Sequence, residues 1–146
     1  MIRRRATLPL AVRRAIVAHA RRDVPNECCG FLVGRGSRVM FSLPVANIDS
    51  KPRTGFTVDP AGHIAIRRLL RAFAPALQIV GVYHSHPAGP PAPSARDIAD
   101  SHYPDWIYVI VGAKGSRVRA FRIRHQTVTP VPLSSGRASP RRRRAR

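Results

Sequence analysis

The longest unbroken apolar run of this chain, WIYVIV at residues 106–111, most constrains how the chain can fold. A continuous run of β-branched and aromatic residues is typical of a strand whose two faces are both covered. Such a strand needs neighbouring strands at its edges and helices on its faces. We therefore predict that residues 106–111 form the central strand of a layered domain.

Two other apolar runs predict the strands beside it. CCGFLVG at residues 28–34 is bounded by glycines and indicates a buried strand, and residues 77–83 indicate a second one. Residues 38–41 follow the first run closely, so we expect them to pair with it as a hairpin. The predicted sheet therefore contains strands from several distant parts of the chain.

The segment after the central strand predicts a return strand. The AKGS sequence at residues 113–116 forms a turn, and RVRAFRIR then folds back on the sheet. The alternation of apolar and charged residues changes phase between Ala120 and Phe121. This change predicts a β-bulge at that point.

Helical periodicity occurs between these strands. Apolar residues at i, i+4 and i+8 predict an amphipathic helix over residues 8–22. A second helix begins at Pro60, and its predicted core-facing residues are Ile66, Leu69, Leu70 and Phe73. Ser94 starts a short third helix. This order predicts an α/β protein of the mixed α+β kind, a single domain with a largely antiparallel central sheet flanked by helices.

Length and charge set the expected domain organisation. The 146 residues suffice for one domain, which we place at residues 1–133. Residues 134–146 contain no apolar residue larger than alanine, so we predict a disordered, Arg-rich tail. Lysine and arginine number 26 against 7 acidic residues. The resulting positive surface could attract nucleic acid or an acidic protein.

The sequence favours a cytoplasmic protein without a membrane span. No apolar run reaches spanning length, and Arg13 and Arg14 interrupt the apolar stretch that would resemble a secretion signal. Cys28 and Cys29 are adjacent on a predicted strand, so their side chains point to opposite faces. We therefore predict two buried thiols rather than a disulfide or a shared metal site.

The polar segment after residues 77–83 carries the most chemical information. His84 and His86 stand at i and i+2 on the end of an extended strand, so both imidazoles can reach one ion. Asp97 follows a proline-rich loop and can supply a third ligand. Catalytic zinc needs three protein ligands and one open position for water. The sequence thus predicts one Zn²⁺ per chain.

Glu27 is the candidate for the general base that such a site needs. It is the only glutamate of the chain and precedes a predicted strand, but the spacing does not prove that it lies near the histidines. Ser94 and Asp97 also fit a capping box at a helix start, so their roles stay open at this point. The isolated histidines are expected on surfaces or helix faces: His19, His63, His102 and His125.

Together these residues resemble the motif of the JAMM or MPN-plus metallopeptidases, a glutamate followed by H-x-H-x7-S-x2-D. Every motif position is present, and the resemblance covers about residues 8–132. It implies a JAB/MPN-like fold with a layout resembling the cytidine deaminases. It also implies zinc bound by His84, His86 and Asp97. Further implied roles are water activation by Glu27 and oxyanion stabilisation by Ser94.

The resemblance also implies a substrate class. Minimal members of the family cleave a peptide or isopeptide bond at the C-terminal glycine of ubiquitin-like proteins, including bacterial sulfur carriers. The rival hypotheses are a non-catalytic MPN scaffold, which would lack a ligand, and a RadC-like protein associated with nucleic acid. RadC-like chains carry Asn where this chain has Ser85, which favours the peptidase. The identity of the partner and the oligomeric state stay open.

Overall fold

The structure is a computed structural model that describes residues 5–115 and 117–136. Over these residues the chain forms one eight-stranded sheet and three α-helices. The strands are β1 (Ala6–Thr7), β2 (Cys29–Arg35), β3 (Arg38–Val45), β4 (Gln78–Ser85), β5 (Ile107–Val111), β6 (Val118–Arg124), β7 (Thr127–Val131) and β8 (Leu133–Ser134). The helices are α1 (Leu10–Asp23), α2 (Pro60–Phe73) and α3 (Ala95–Ala99).

β5 lies inside the sheet, whose strand order is β7-β6-β5-β4-β2-β3-β1-β8. It pairs in parallel with β4 and antiparallel with β6, and all of its residues are buried. The prediction of a central strand is therefore confirmed. The pairs β2–β3, β2–β4, β5–β6 and β6–β7 are antiparallel. The predicted mixed fold with a largely antiparallel sheet is confirmed as well.

Helices cover both faces of the sheet. Successive residues of each strand point to opposite sides, so neighbouring residues pack against different helices. On one face, α1 contributes Ile16 to the core cluster that contains Leu32 of β2. On the other face, Leu70 of α2 packs against the cluster that contains Phe31. Adjacent residues of β2 therefore serve two separate cores.

The predicted core-facing stripe of α2 is only partly correct. Ile66 and Leu70 pack on the sheet, but Leu69 is 55% exposed and Phe73 is 82% exposed. Leu69 is turned about 100° around the helix axis from Leu70, and Phe73 is the last residue of the helix. The apolar spacing correctly predicted the helix, but it predicted a wider buried face than the structure has.

The predicted bulge at Ala120 and Phe121 is wrong. The ladder between β5 and β6 runs through these residues without a shift, with Val109 opposite Ala120 and Tyr108 opposite Phe121. Both residues are buried because β6 is covered on both faces at this point. The two consecutive apolar residues therefore reflect burial on both faces of β6 and not a bulge. Register shifts occur instead in β2, next to Val33.

Cys28 and Cys29 are both buried and both free, as predicted. Cys28 belongs to the core beneath α1, whereas the thiol of Cys29 donates to the carbonyl oxygen of Val45 at 3.5 Å. Burial raises the pKa of the Cys28 thiol to about 11 and that of Cys29 to about 12. Both side chains therefore stay as neutral thiols at physiological pH.

Ser134, which the sequence assigned to the tail, belongs to β8 and pairs with Thr7 of β1. The rest of the predicted tail from residue 137 lies outside the described residues. Within the described part of the chain, no helix is long and apolar enough to cross a membrane.

Gly81 allows β4 and β5 to approach closely. A Cβ atom added at Gly81 would lie 2.1 Å from the backbone oxygen of Ile107, so Gly81→Ala must displace one of the two strands. We expect a loss of about 2–3 kcal/mol in the free energy of unfolding, the cost of overpacking a rigid site. Chemical denaturation measures it.

The matched control is Gly89→Ala, because the added Cβ would meet only the Cβ of His86 at 3.8 Å, an ordinary contact. This variant should stay within about 0.5 kcal/mol of wild type. Equal losses in the two variants would contradict the packing argument.

Candidate metal centre

The end of β4 brings the two predicted histidines together. His84 is the penultimate residue of β4, and the backbone N–H of His86 donates to the carbonyl oxygen of Val111 at 2.8 Å, which continues the contact with β5. The two side chains point to the same side, and their Nε2 atoms lie 3.0 Å apart. The i, i+2 spacing therefore produces the predicted convergence.

The start of α3 adds the carboxylate. Asp97 Oδ2 lies 3.2 Å from the Nε2 atoms of both His84 and His86. Three donors around a tetrahedral zinc ion, at about 2.0–2.2 Å from it, are roughly 3.3 Å apart from one another. The triangle of ligand atoms is within a few tenths of an ångström of that spacing. The residues present therefore fit a metal ion of this kind.

The hydrogen bonds of the imidazoles also suit metal binding. His86 Nδ1 lies 2.8 Å from the carbonyl oxygen of Pro90, so Nδ1 carries a proton, and the neutral ring would offer the lone pair of Nε2 to an ion. The ring of His84 stacks on Phe56 with centroids 4.4 Å apart. His84 Nδ1 is buried and has no hydrogen-bond partner among the described residues. Packing rather than a hydrogen bond thus orients this second ring.

The charges of the three groups are coupled. Burial lowers the pKa of His84, which favours its neutral form. Burial also acts to lower the pKa of His86, but its bonds to Asp97 and to the Pro90 carbonyl outweigh burial and raise it. For Asp97, burial acts to raise the pKa, but hydrogen bonds from His84 and His86 hold it well below its usual range. Asp97 is therefore ionised and ready to bind a cation.

Glu27 lies opposite His86. The β2–β4 register pairs Cys29 with His84, and Glu27 precedes Cys29 by two residues just as His86 follows His84 by two. The charges of His86 and Asp97 act on the pKa of Glu27, so these groups lie near one another. The backbone of Glu27 is fixed by a bond from its N–H to the Pro52 carbonyl at 2.7 Å and by one from Asn47 Nδ2 to its own carbonyl at 3.0 Å. The sequence could not establish this proximity.

The side chain of Glu27 is buried, and one of its carboxylate oxygens has no hydrogen-bond partner among the described residues. The residue is 6% exposed, and the oxygen without a partner is Oε2. Burial raises the pKa of Glu27 to about 7, against the opposing charge of His86. A carboxylate with a pKa near neutrality can both accept and return a proton, which suits a general base.

Ser94 is the N-cap of α3, as the sequence pattern allowed. Its Oγ accepts from the backbone N–H of Asp97 at 3.1 Å, and its own N–H donates to Asp97 Oδ2 at 2.8 Å. The capping box is complete. Because capping uses a lone pair of Oγ, the hydroxyl hydrogen stays available to another acceptor. A cap and an oxyanion donor are therefore compatible roles for Ser94.

Arg96 ties α3 to the loop between β3 and α2. Its guanidinium forms an ion pair with Asp49 and lies 3.4 Å from Asp100. Gly55 passes directly beneath it, so that any Cβ there would collide with the guanidinium. This loop also carries Pro52, which holds the backbone of Glu27, and Phe56, which stacks on His84. Arg96 therefore links the ligand helix to the supports of two other site residues.

No motif in the sequence pointed to these supporting residues. Asn47 organises the loop by accepting from the N–H groups of Asp49 and Thr57 while its amide donates to Glu27 and Gly55. Such contacts depend on tertiary structure. A signal was nevertheless present, because Asn followed by Asp two residues later is typical of a loop built on side-chain hydrogen bonds.

The fold and the site define the class of this protein. Residues 9–124 match the family described as prokaryotic homologs of the JAB domain, and the chain belongs to this family. It is 33% identical to the desampylase of Haloferax volcanii over 76% of this chain and 83% of that protein. It is 34% identical to the CysO-cysteine peptidase of Mycobacterium tuberculosis over 92% of this chain and 97% of that protein.

A solved structure has a similar fold. The solution structure of DSY2949 from Desulfitobacterium hafniense is 30% identical, with a TM-score of 0.77 over 88% of this chain and 91% of that one. The family match over residues 9–124 confirms the expectation of a JAB-type protein.

The link through Arg96 predicts a local change in dynamics. Arg96→Ala should cost at most about 1 kcal/mol in the free energy of unfolding, because the side chain is half-exposed. The amides of Asp49 and Thr57 should nevertheless exchange with solvent at least severalfold faster, since their loop loses its tie to α3. Hydrogen–deuterium exchange measures this.

The matched control is Arg124→Ala, which removes an ion pair with Asp105 at 2.9 Å and no ion pair with this loop among the described residues. That variant should leave loop exchange unchanged. Identical exchange in all three proteins would show that Arg96 does not hold the loop.

Proposed function

We propose that this chain is a zinc-dependent metallopeptidase that hydrolyses a peptide or isopeptide bond at the C-terminal glycine of a ubiquitin-like, sulfur-carrier type protein. The observation that carries the proposal is the convergence of His84, His86 and Asp97 on one point, with Glu27 beside them. The names of the related peptidases support the substrate class.

In this proposal, His84, His86 and Asp97 hold one zinc ion. When bound there, zinc would lower the pKa of a coordinated water and polarise the carbonyl under attack. Glu27 takes the proton of the water and returns it to the leaving amine. Its buried, unpartnered Oε2 and its raised pKa support this role.

Ser94 serves as the hydrogen-bond donor to the oxyanion. Its backbone is fixed by the capping box, so the hydroxyl stands beside the ligand carboxylate of Asp97 without further ordering. A donor held in place before the reaction stabilises developing charge at little reorganisation cost. We expect that its removal lowers turnover beyond what the lost cap costs in stability.

The site suits an extended chain that ends in glycine. The outer edge of β3 pairs with β1 only at Arg38, so over the described residues the edge from Val39 to Val45 is open to an added strand. Val45 lies opposite Cys29, two residues from Glu27. An extended tail can gain main-chain hydrogen bonds on such an edge, and glycine lets its backbone approach the ion.

The charge of the chain supports an acidic carrier. Its 7 acidic residues cannot balance 26 basic ones, and most of them already have local roles. Asp49 and Asp100 pair with Arg96, Asp105 pairs with Arg124, and Asp59 caps α2. A positive field speeds encounter with an acidic partner and weakens as salt rises.

The rival functions have less support. A non-catalytic scaffold would be expected to lack a ligand, and here no motif residue is missing from the sequence. Nucleic-acid binding rests on the net charge and on the histidine segment shared with RadC-like chains, and Ser85 disfavours that reading. We retain the cytoplasmic location as a prediction, which the free thiols of Cys28 and Cys29 support because such thiols suit a reducing compartment.

The purified protein should carry about one zinc ion per chain, because three ligands and one water complete a catalytic site. Elemental analysis measures the content. His84→Ala should lose the ion. His125→Asn, which changes an exposed turn histidine with positive φ, should keep it. A folded wild-type protein that takes up no zinc when the ion is added would refute the assignment.

Glu27→Gln should retain zinc and fold but lose about 10²–10⁴-fold in turnover, because the amide cannot accept a proton. The substrate is a ubiquitin-like carrier extended by one residue beyond its terminal Gly-Gly, and mass spectrometry follows release of that residue. The matched control is Asp59→Asn, the same acid-to-amide change at a helix cap. Near wild-type turnover of the Glu27 variant would mean that another group is the base.

A further inference from the structure

A cavity of about 260 Å³ adjoins the candidate metal centre. His84 and Asp97 form one side of it. Much of the remaining wall is aromatic, because it includes Phe31, Phe56, His63, Tyr103, Trp106 and Tyr108. Pockets for drug-sized ligands span roughly 300–1,000 Å³, so this cavity suits a single large side chain.

The aromatic wall is held in place before any ligand arrives. Tyr103 stacks on Trp106 with centroids 3.7 Å apart and planes within 8°. The ring of His63 meets Trp106 edge to face and packs against Phe31 at 4.6 Å. Trp106 also packs on the cores of both neighbouring clusters. A preformed apolar wall binds without paying for its own ordering.

Three of the polar residues that line the cavity, Arg96, Asp97 and His63, already have partners. Arg96 is bonded to Asp49 and Asp100, and Asp97 faces the two histidines of the metal centre. His63 Nε2 accepts from Arg67 Nε at 2.8 Å, so this nitrogen is unprotonated. A charged group that entered the cavity would lose its hydration and would have to compete with these existing pairs for a counter-ion. The lining therefore favours an uncharged, apolar occupant.

The cavity adjoins the metal centre, so its occupant must lie close to the scissile bond. Under the proposed function, the two glycines that end the carrier tail have no side chain to fill an aromatic cavity. The residue on the other side of the scissile bond does have one. We propose that the cavity is the leaving-group pocket of the enzyme and binds an apolar chain on the amine side of the bond.

This inference rests on the proposed function and names its substrate more closely. The apolar chain has two possible sources. One is the side chain of an amino acid joined directly to the terminal glycine. The other is the methylene stem of a lysine joined through an isopeptide bond, whose nitrogen is an uncharged amide.

Binding can be tested without turnover, because Trp106 is the single tryptophan of the chain. The zinc-loaded protein is titrated with leucinamide and with glycinamide while its intrinsic fluorescence is recorded. Leucinamide should change the emission saturably, and glycinamide should bind at least about tenfold more weakly, as expected for a lost apolar side chain. Equal weak responses to both amides would overturn the pocket.

Two variants locate the binding. Tyr103→Ala removes the ring that stacks on Trp106 but keeps the bonds between the backbone of residue 103 and the Tyr108 hydroxyl. This substitution should weaken the binding of leucinamide about tenfold. Phe73→Ala removes an exposed aromatic ring of α2 that does not line the cavity, and should leave binding unchanged. Equal effects of the two substitutions would contradict the location.

Turnover then tests the substrate preference. Carriers extended beyond Gly-Gly by leucine, glycine or aspartate should be cleaved with kcat/KM highest for leucine, at least about tenfold above glycine, and lowest for aspartate. Tyr103→Ala should reduce the ratio of leucine to glycine. A carrier joined to lysine Nζ tests the second source. A kcat/KM higher than that of the glycine-extended carrier would identify the methylene stem of lysine as an occupant of the cavity.

The outcomes separate this inference from the proposed function. Cleavage of all carriers at equal rates would overturn the pocket but support the peptidase. Saturable leucinamide binding without cleavage of any carrier would overturn the peptidase and support the apolar pocket.

Discussion

The pairing of β4 with its two neighbours is the constraint on which the site depends. Its antiparallel register with β2 brings Glu27 beside His86, and its parallel register with β5 holds the backbone of His86. A slip of one residue would turn the histidines to the opposite face. The chemistry therefore relies on a ladder of backbone bonds in which Gly81 allows the closest contact.

The sequence predicted the elements and the metal ligands because both follow local rules. An unbroken apolar run indicated β5, and the i, i+2 spacing of His84 and His86 required only an extended strand to bring their rings together. The capping pattern at Ser94 placed Asp97 on the first turn of α3. In each case a few neighbouring residues contain the whole signal.

The rest depends on contacts between distant segments, which spacing does not encode. Arg96, Asn47 and Phe56 support the site from a loop whose path only the folded chain defines. The errors have the same origin, since Leu69 was assigned to the core by periodicity although the sheet beneath α2 reaches only one side of the helix. The proximity of Glu27 to His86 likewise needed the register of two strands 50 residues apart.

The loop between the ligands has a thermodynamic consequence of its own. Four of the seven residues of PAGPPAP, at positions 87–93, are proline. Pro90 accepts from His86, and Pro91 lies against Gly112, where a larger residue would not fit. Proline restricts the unfolded chain, so this loop loses less conformational entropy on folding than a flexible loop of equal length. Bringing Asp97 to the histidines therefore costs little conformational entropy, because the prolines already restrict this segment in the unfolded chain.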